Sequence, residues 1–89
     1  MDLRKATRKA VSILSTKGAA GVNEALTLLY NAGAQANRYL GKDPETFTTQ
    51  QVLEWYAGQI VDSLEIKDYA SVSNVLKLAD KYAPAYDVN

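Results

Sequence analysis

Asp62, Glu65 and Asp68 are the side chains whose type and spacing come closest to a metal site. Three carboxylates around one turn could hold Mg²⁺ or Ca²⁺, since both cations prefer oxygen ligands. An EF-hand loop, however, needs ligands at alternating positions and a glycine at its sixth position, and this segment has neither. The spacing therefore favours a solvated helix end followed by a helix cap, and we predict no metal site.

The chain has no histidine and no cysteine, and this removes most of the remaining catalytic chemistry. Without these residues there is no disulfide framework, no zinc finger, no thiol nucleophile and no Ser-His-Asp triad. The glycines of the segment 18–21 do not form a phosphate-binding loop, because the segment is too short and lacks the Lys-Ser/Thr ending. We therefore predict that the protein is not an enzyme and holds no cofactor.

Four basic side chains near the amino terminus form the best candidate contact surface. Arg4 and Arg8 lie one helical turn apart, as do Lys5 and Lys9, so a helix places all four in one continuous stripe. Hydroxyl groups that can contact phosphate occur on the same segment, at Thr7, Ser12, Ser15 and Thr16. Such a stripe suits an acidic protein surface, a nucleic-acid backbone or a small anionic ligand such as a nucleotide.

A formal net charge of zero conceals an uneven distribution of charge along the 89 residues. Residues 1–42 carry seven basic and two acidic groups, a balance of +5, whereas residues 43–89 carry three basic and eight acidic groups, a balance of −5. A split of this kind between halves points to interaction. Because the two halves are complementary, we predict a protein partner, self-association into a homo-oligomer, or both. Nucleic-acid binding by the first helix and capture of an anionic ligand between copies are the alternatives.

The aromatic residues also favour an interaction surface. Six tyrosines and Trp55 accompany a single phenylalanine, and tyrosine and tryptophan are enriched at interfaces. On a helical wheel Trp55 lies off the apolar stripe of its helix, and Tyr39 leaves the main apolar face of the preceding helix. Tyr86 follows Pro84 and has no evident place to pack within one monomer. We predict Tyr39, Trp55 and Tyr86 as aromatic anchors for the partner.

Apolar residues at spacings of three and four predict that helices position these side chains. We expect a single all-α domain with four helices at about residues 2–17, 23–40, 48–64 and 68–83, followed by a short tail at 84–89. The last two helices are expected to form an antiparallel hairpin. No segment alternates at period two for more than a few residues, so strands are not predicted.

Helix-terminal signals set these boundaries. Asp2 is a good N-cap and Gly18 a good left-handed C-cap, while Thr48 and Gln51 match a capping box. Pro84 is expected to end the last helix. Gly33 falls inside the predicted second helix, where glycine costs about 1 kcal/mol relative to alanine, so we expect another backbone to approach it closely.

The longest uninterrupted apolar run is far shorter than the ~20 residues that a membrane-spanning helix needs, so we predict no membrane association. No signal peptide is evident, and the absence of cysteine is typical of a cytoplasmic protein. Together these features predict a small adaptor, inhibitor or assembly protein, of the kind that phages and other mobile elements often encode.

Overall fold

The computed structural model describes residues 2–36, 41–66 and 69–86. These residues form five α-helices, and no strand occurs among them: α1 (Leu3–Lys17), α2 (Val22–Asn31), α3 (Thr49–Ile66), α4 (Tyr69–Lys77) and α5 (Ala79–Tyr86). Short 3₁₀ turns at Gly18–Gly21 and Pro44–Thr46 precede α2 and α3. The all-helical prediction is confirmed for this part of the chain. The count of four helices is not confirmed, because only α1, α2 and α3 reach ten residues.

The amino-terminal helix has the predicted caps. The Asp2 carboxylate accepts a hydrogen bond from the backbone N–H of Lys5 at 2.8 Å, which satisfies one of the free amides of the first turn. Gly18 ends α1 with a φ of 58°, in the left-handed region that glycine adopts without steric cost. The helix packs mainly against α2 of its own chain, and it also contacts α3 and α5.

The predicted second helix, 23–40, is wrong for residues 32–36, because α2 ends at Asn31, and residues 37–40 lie outside the described part of the chain. Gly33 has a φ of +88° and closes a Schellman motif, in which its N–H donates to the carbonyl of Tyr30 and the N–H of Ala34 donates to that of Leu29. A Cβ at Gly33 would meet no atom of the described residues within 4 Å, so no described backbone approaches it closely. This glycine is explained by its backbone conformation.

The close backbone approach occurs instead at Gly58 of α3. A Cβ built there would lie 2.7 Å from the carbonyl oxygen of Gln35, which is closer than real Cβ atoms come to such a neighbour. The segment after α2 therefore crosses α3 in direct contact with its backbone.

The start of α3 carries the predicted capping box. The backbone N–H of Gln51 donates to the Thr48 hydroxyl at 3.2 Å, and the backbone N–H of Thr48 donates to the Gln51 side-chain oxygen at 2.9 Å. Both bonds satisfy amides that a helix start leaves without intrahelical partners. The helix begins at Thr49, as the sequence indicates.

The predicted fourth helix, 68–83, is interrupted. The chain forms α4 and α5 with a break at Leu78, and α5 continues through Pro84 to Tyr86. The prediction that Pro84 ends the helix is therefore wrong. The aromatic contacts of α5 are made with Trp55 and Tyr56 in the first half of α3, and the antiparallel hairpin of the last two predicted helices stays a prediction.

The core is centred on Tyr56 of α3, which has no exposed surface. Its ring stacks on Tyr86 at a centroid distance of 5.7 Å and packs at a tilt against Tyr82 at 5.8 Å. Aliphatic side chains from α1, α2 and α3 complete this core, among them Leu14, Leu29, Leu53, Ile60, Val61 and Leu64. The Cα radius of gyration is 11.6 Å, close to the value of about 12 Å that is typical of a compact chain of this length.

Thr7 lies on the buried face of α1 and has no exposed surface, so the expectation that its hydroxyl contacts phosphate is wrong. Its Oγ1 finds no hydrogen-bond partner among the residues that the structure describes. We expect Thr7→Val to raise the free energy of unfolding by about 1 kcal/mol, because valine keeps the shape and removes an unsatisfied polar atom.

Urea denaturation followed by circular dichroism measures this change. The matched variant Thr7→Ser keeps the hydroxyl and loses the buried methyl group, so it should be less stable than the parent protein. A Thr7→Val protein that is also less stable would mean that the hydroxyl has a partner.

Candidate partner-binding surface

The basic stripe predicted from the sequence lies on the solvent side of α1. Arg4, Lys5, Arg8 and Lys9 are all exposed, and we call these four residues the basic face. The buried side chains of the helix occupy its opposite side: Ala6, Thr7, Ala10, Ile13 and Leu14. The predicted periodicity thus places the four cations away from the core, where a partner can reach them.

A depression on this surface is lined by Lys5, Arg8, Lys9 and Ser12. Ser12 is exposed and lies one turn beyond Arg8, so its hydroxyl stands next to three positive charges. Three cations and a hydroxyl donor form a chemical environment suited to carboxylate or phosphate oxygens.

The charges of the basic face oppose the preferences of an isolated helix. The first turn of α1 carries no acidic residue, although the amino-terminal end of a helix is the positive end of its dipole. The pairs Arg4–Arg8 and Lys5–Lys9 put like charges at i,i+4, which destabilises a helix by about 0.2–0.5 kcal/mol per pair. The surface is therefore more positive than helix stability favours.

Asp2 directly precedes α1, and the role of its carboxylate is local. The backbone N–H of Lys5, together with the nearby charges of Arg4 and Lys5, holds the pKa of Asp2 below its ordinary value. The carboxylate is thus bound to the helix start as a cap. It forms no ion pair with a described basic side chain.

The ion pairs of the described residues lie elsewhere. Lys17 Nζ is 3.0 Å from a carboxylate oxygen of Glu24, and Lys81 Nζ is 3.9 Å from one of Glu45. No member of the basic face pairs with a carboxylate in the described part of its own chain. Among the described residues, internal charge matching therefore involves none of these four cations.

The predicted aromatic anchors have different surroundings. Tyr86 is only 5% exposed, and its hydroxyl donates to the carbonyl oxygen of Ala79 at 3.1 Å. The interpretation that it lacks a packing place in the monomer is therefore wrong. Trp55 is half-buried and packs edge-on against Tyr82 at 5.0 Å between ring centroids, so only part of it faces solvent. Tyr39 lies outside the described residues.

Sequence reasoning missed the large apolar side chains that are most exposed. Among the described residues these are Ile66 at 69%, Tyr30 at 48% and Leu78 at 37%. A signal for Ile66 was present, because it lies one turn beyond Asp62 on the polar side of α3, off the apolar stripe.

The described residues also bear on a metal site and on membrane-spanning helices. The described residues contain no group of three or more acidic side chains that could hold a metal ion, and Asp68 of the sequence-based candidate lies outside them. None of the described helices combines the length and the apolar character needed to cross a bilayer.

Comparison of the chain with protein-family models, with curated proteins and with solved structures gives no match.

Proposed function

We propose that this chain is a small non-catalytic interaction protein, acting as an adaptor, inhibitor or assembly factor, that binds an acidic protein surface through its basic face. One observation carries the proposal. The solvent side of the first three turns of α1 holds four cations and no acid, and none of these cations is matched by a described carboxylate of its own chain.

The energetic cost of this arrangement supports a binding role. A helix face that only meets water gains stability from mixed charges at i,i+4, because opposite charges then attract. The basic face has the reverse pattern, so an approaching anionic group relieves the repulsion between its charges. An acidic partner would also gain from the positive end of the α1 dipole.

Charge balance favours a protein partner over a long polyanion. The chain as a whole has no net charge, and its second half has a balance of −5, which repels a nucleic acid that extends beyond α1. An acidic patch on a protein can match the basic face without meeting the acidic half. Electrostatic matching of this kind gives specificity and speeds association.

Nucleic acid is the second candidate, and a small anionic ligand shares its chemistry. The observation that favours them is the depression where Ser12 stands among three cations, because hydroxyl and cationic donors together suit phosphate oxygens. Neutralising several phosphates would make such binding strongly dependent on salt.

Binding of two fluorescent polyanions tests the proposal. Fluorescence anisotropy measures the affinity for poly-L-glutamate and for a DNA duplex at ionic strengths of ~0.01 M and ~1 M. The Debye length is about 30 Å at the lower ionic strength and about 3 Å at the higher one. We expect binding to poly-L-glutamate at low salt. The variant Arg4→Glu/Arg8→Glu should weaken this binding by about tenfold or more, because attraction becomes repulsion.

The matched control is Lys42→Glu/Lys77→Glu, which changes net charge equally at two exposed lysines outside α1. At low salt this control should lose several-fold less affinity than Arg4→Glu/Arg8→Glu, because its changed charges act only through the long-range field and not at the contact itself. Equal losses in both variants, or no binding to poly-L-glutamate at low salt, would contradict the proposal. Tighter binding to DNA that is lost in Arg4→Glu/Arg8→Glu would replace it with the second candidate.

A further inference from the structure

The carboxyl-terminal end of α3 forms an acidic and apolar patch. Asp62 lies one turn before both Glu65 and Ile66, so the three side chains are neighbours at i,i+3 and i,i+4. Glu65 and Ile66 are exposed, and Ile66 is the most exposed large apolar side chain among the described residues. We call these three residues the acidic end.

The charges of the acidic end also oppose the preferences of its helix. The last turn of α3 has no basic residue, although the carboxyl-terminal end is the negative end of the helix dipole and favours cations. Neither Asp62 nor Glu65 forms an ion pair within the described ranges of the chain. The excess negative charge here therefore mirrors the excess positive charge on α1.

Ile66 adds an apolar element to this patch. At 69% exposure its side chain loses the stabilisation that burial would give, about 25 cal/mol per Å² of apolar surface. Lys5, Arg8 and Lys9 line the depression on α1. The aliphatic stems of such side chains can cover apolar groups while their charged heads stay hydrated. An isoleucine flanked by two carboxylates thus complements this depression in both polarity and charge.

We infer that the acidic protein surface bound by the basic face is the acidic end of a second copy of this chain. The inference rests on the proposed function and names its partner. Within one chain the described residues form no ion pair between the two surfaces, and their opposite charges are complementary for contact between copies. Self-association then brings the +5 and −5 halves of neighbouring copies together.

A charge-swap experiment tests this contact, with sedimentation velocity to measure mass across protein concentrations. The parent protein should associate at ~0.01 M ionic strength and dissociate at ~1 M, where charges are screened within about 3 Å. Arg4→Glu/Arg8→Glu and Asp62→Lys/Glu65→Lys should each weaken association by about tenfold or more, because each variant meets like charge on its own copies. An equimolar mixture of the two variants should associate again, since every contact between unlike variants is then complementary.

Two further variants test the contribution of the apolar side chain and the specificity of the charge changes. Ile66→Ser should weaken association without lowering the free energy of unfolding, because this side chain is mostly exposed. Lys42→Glu/Lys77→Glu should weaken association several-fold less than either charge-swap variant, because these lysines lie outside both surfaces. Rescue in the mixture supports the inference directly, since it requires the two surfaces to touch across copies.

A parent protein that stays monomeric at low ionic strength would overturn the inference, as would two variants whose mixture fails to associate. Either result, combined with binding of poly-L-glutamate that needs Arg4 and Arg8, would leave the proposed function standing with a different acidic partner. Loss of both self-association and binding of poly-L-glutamate would remove the proposed function as well.

Discussion

Replacing Tyr86 by alanine is expected to lower the free energy of unfolding by about 3–5 kcal/mol, the usual cost of truncating a large aromatic in a core. The ring is 5% exposed and stacks on Tyr56, which is itself fully buried. Its hydroxyl also donates to the Ala79 carbonyl at 3.1 Å and so fastens the two ends of α5. The loss is a large part of the 5–15 kcal/mol that typically stabilises a native domain.

Chemical denaturation of Tyr86→Ala and of Tyr86→Phe separates packing from hydrogen bonding. The phenylalanine variant keeps the stacked ring and loses the donor, so its loss should be about 1 kcal/mol. If Tyr86→Ala instead kept the parent stability and weakened only binding of the partner, Tyr86 would be an interface anchor and the described packing would be wrong.

Gly58→Ala is expected to destabilise the protein by about 2 kcal/mol, even though alanine favours helix by about 1 kcal/mol over glycine. The added methyl group would lie 2.7 Å from the carbonyl oxygen of Gln35, and a backbone atom cannot move aside as the end of a flexible side chain can. Overpacking of this kind forces backbone shifts.

Thermal or urea unfolding gives the size of this effect, and amide chemical shifts give its location. The shifts of Gln35 and Ala36 should move in Gly58→Ala. Gly33→Ala is the matched control, because a Cβ there meets no atom of the described residues within 4 Å and its expected loss comes from the φ of +88°. A Gly58→Ala protein as stable as its parent, with those amide shifts unchanged, would show that the crossing is looser than described.

Helix caps and helical periodicity predicted the parts of the fold that depend on residues within about one turn of each other. Asp2 and the pair Thr48–Gln51 act within one turn of chain, and both form the hydrogen bonds that their sequence positions predict. The basic face follows from helical periodicity alone, and its four cations are exposed as expected.

The errors involve residues whose roles depend on distant parts of the chain. Gly33 and Gly58 are alike in sequence terms, yet one needs a positive φ and the other a neighbour at close range. Tyr86 was predicted to lack a packing place in the monomer, because its partner Tyr56 lies 30 positions earlier in the sequence. No glycine or proline marks the break at Leu78, so apolar spacing continues across it without a signal.

Of the two proposed contact surfaces, the sequence predicted the basic face and not the acidic end. Charge spacing identified the basic face, whereas Ile66 became informative only once its exposure was known. Thr7 shows the opposite error, because its hydroxyl suggested phosphate contact and its helical position places it in the interior. Residue type alone does not separate these cases, since burial depends on the packing of α1 against the other helices.

The crossing at Gly58 also fixes the register of α3 along its axis. A slip by one residue would place Ala57 or Gln59 beneath the Gln35 carbonyl, and both carry a side chain where no atom fits. The absence of a side chain at Gly58 thus fixes the position of α3 relative to the segment that crosses it.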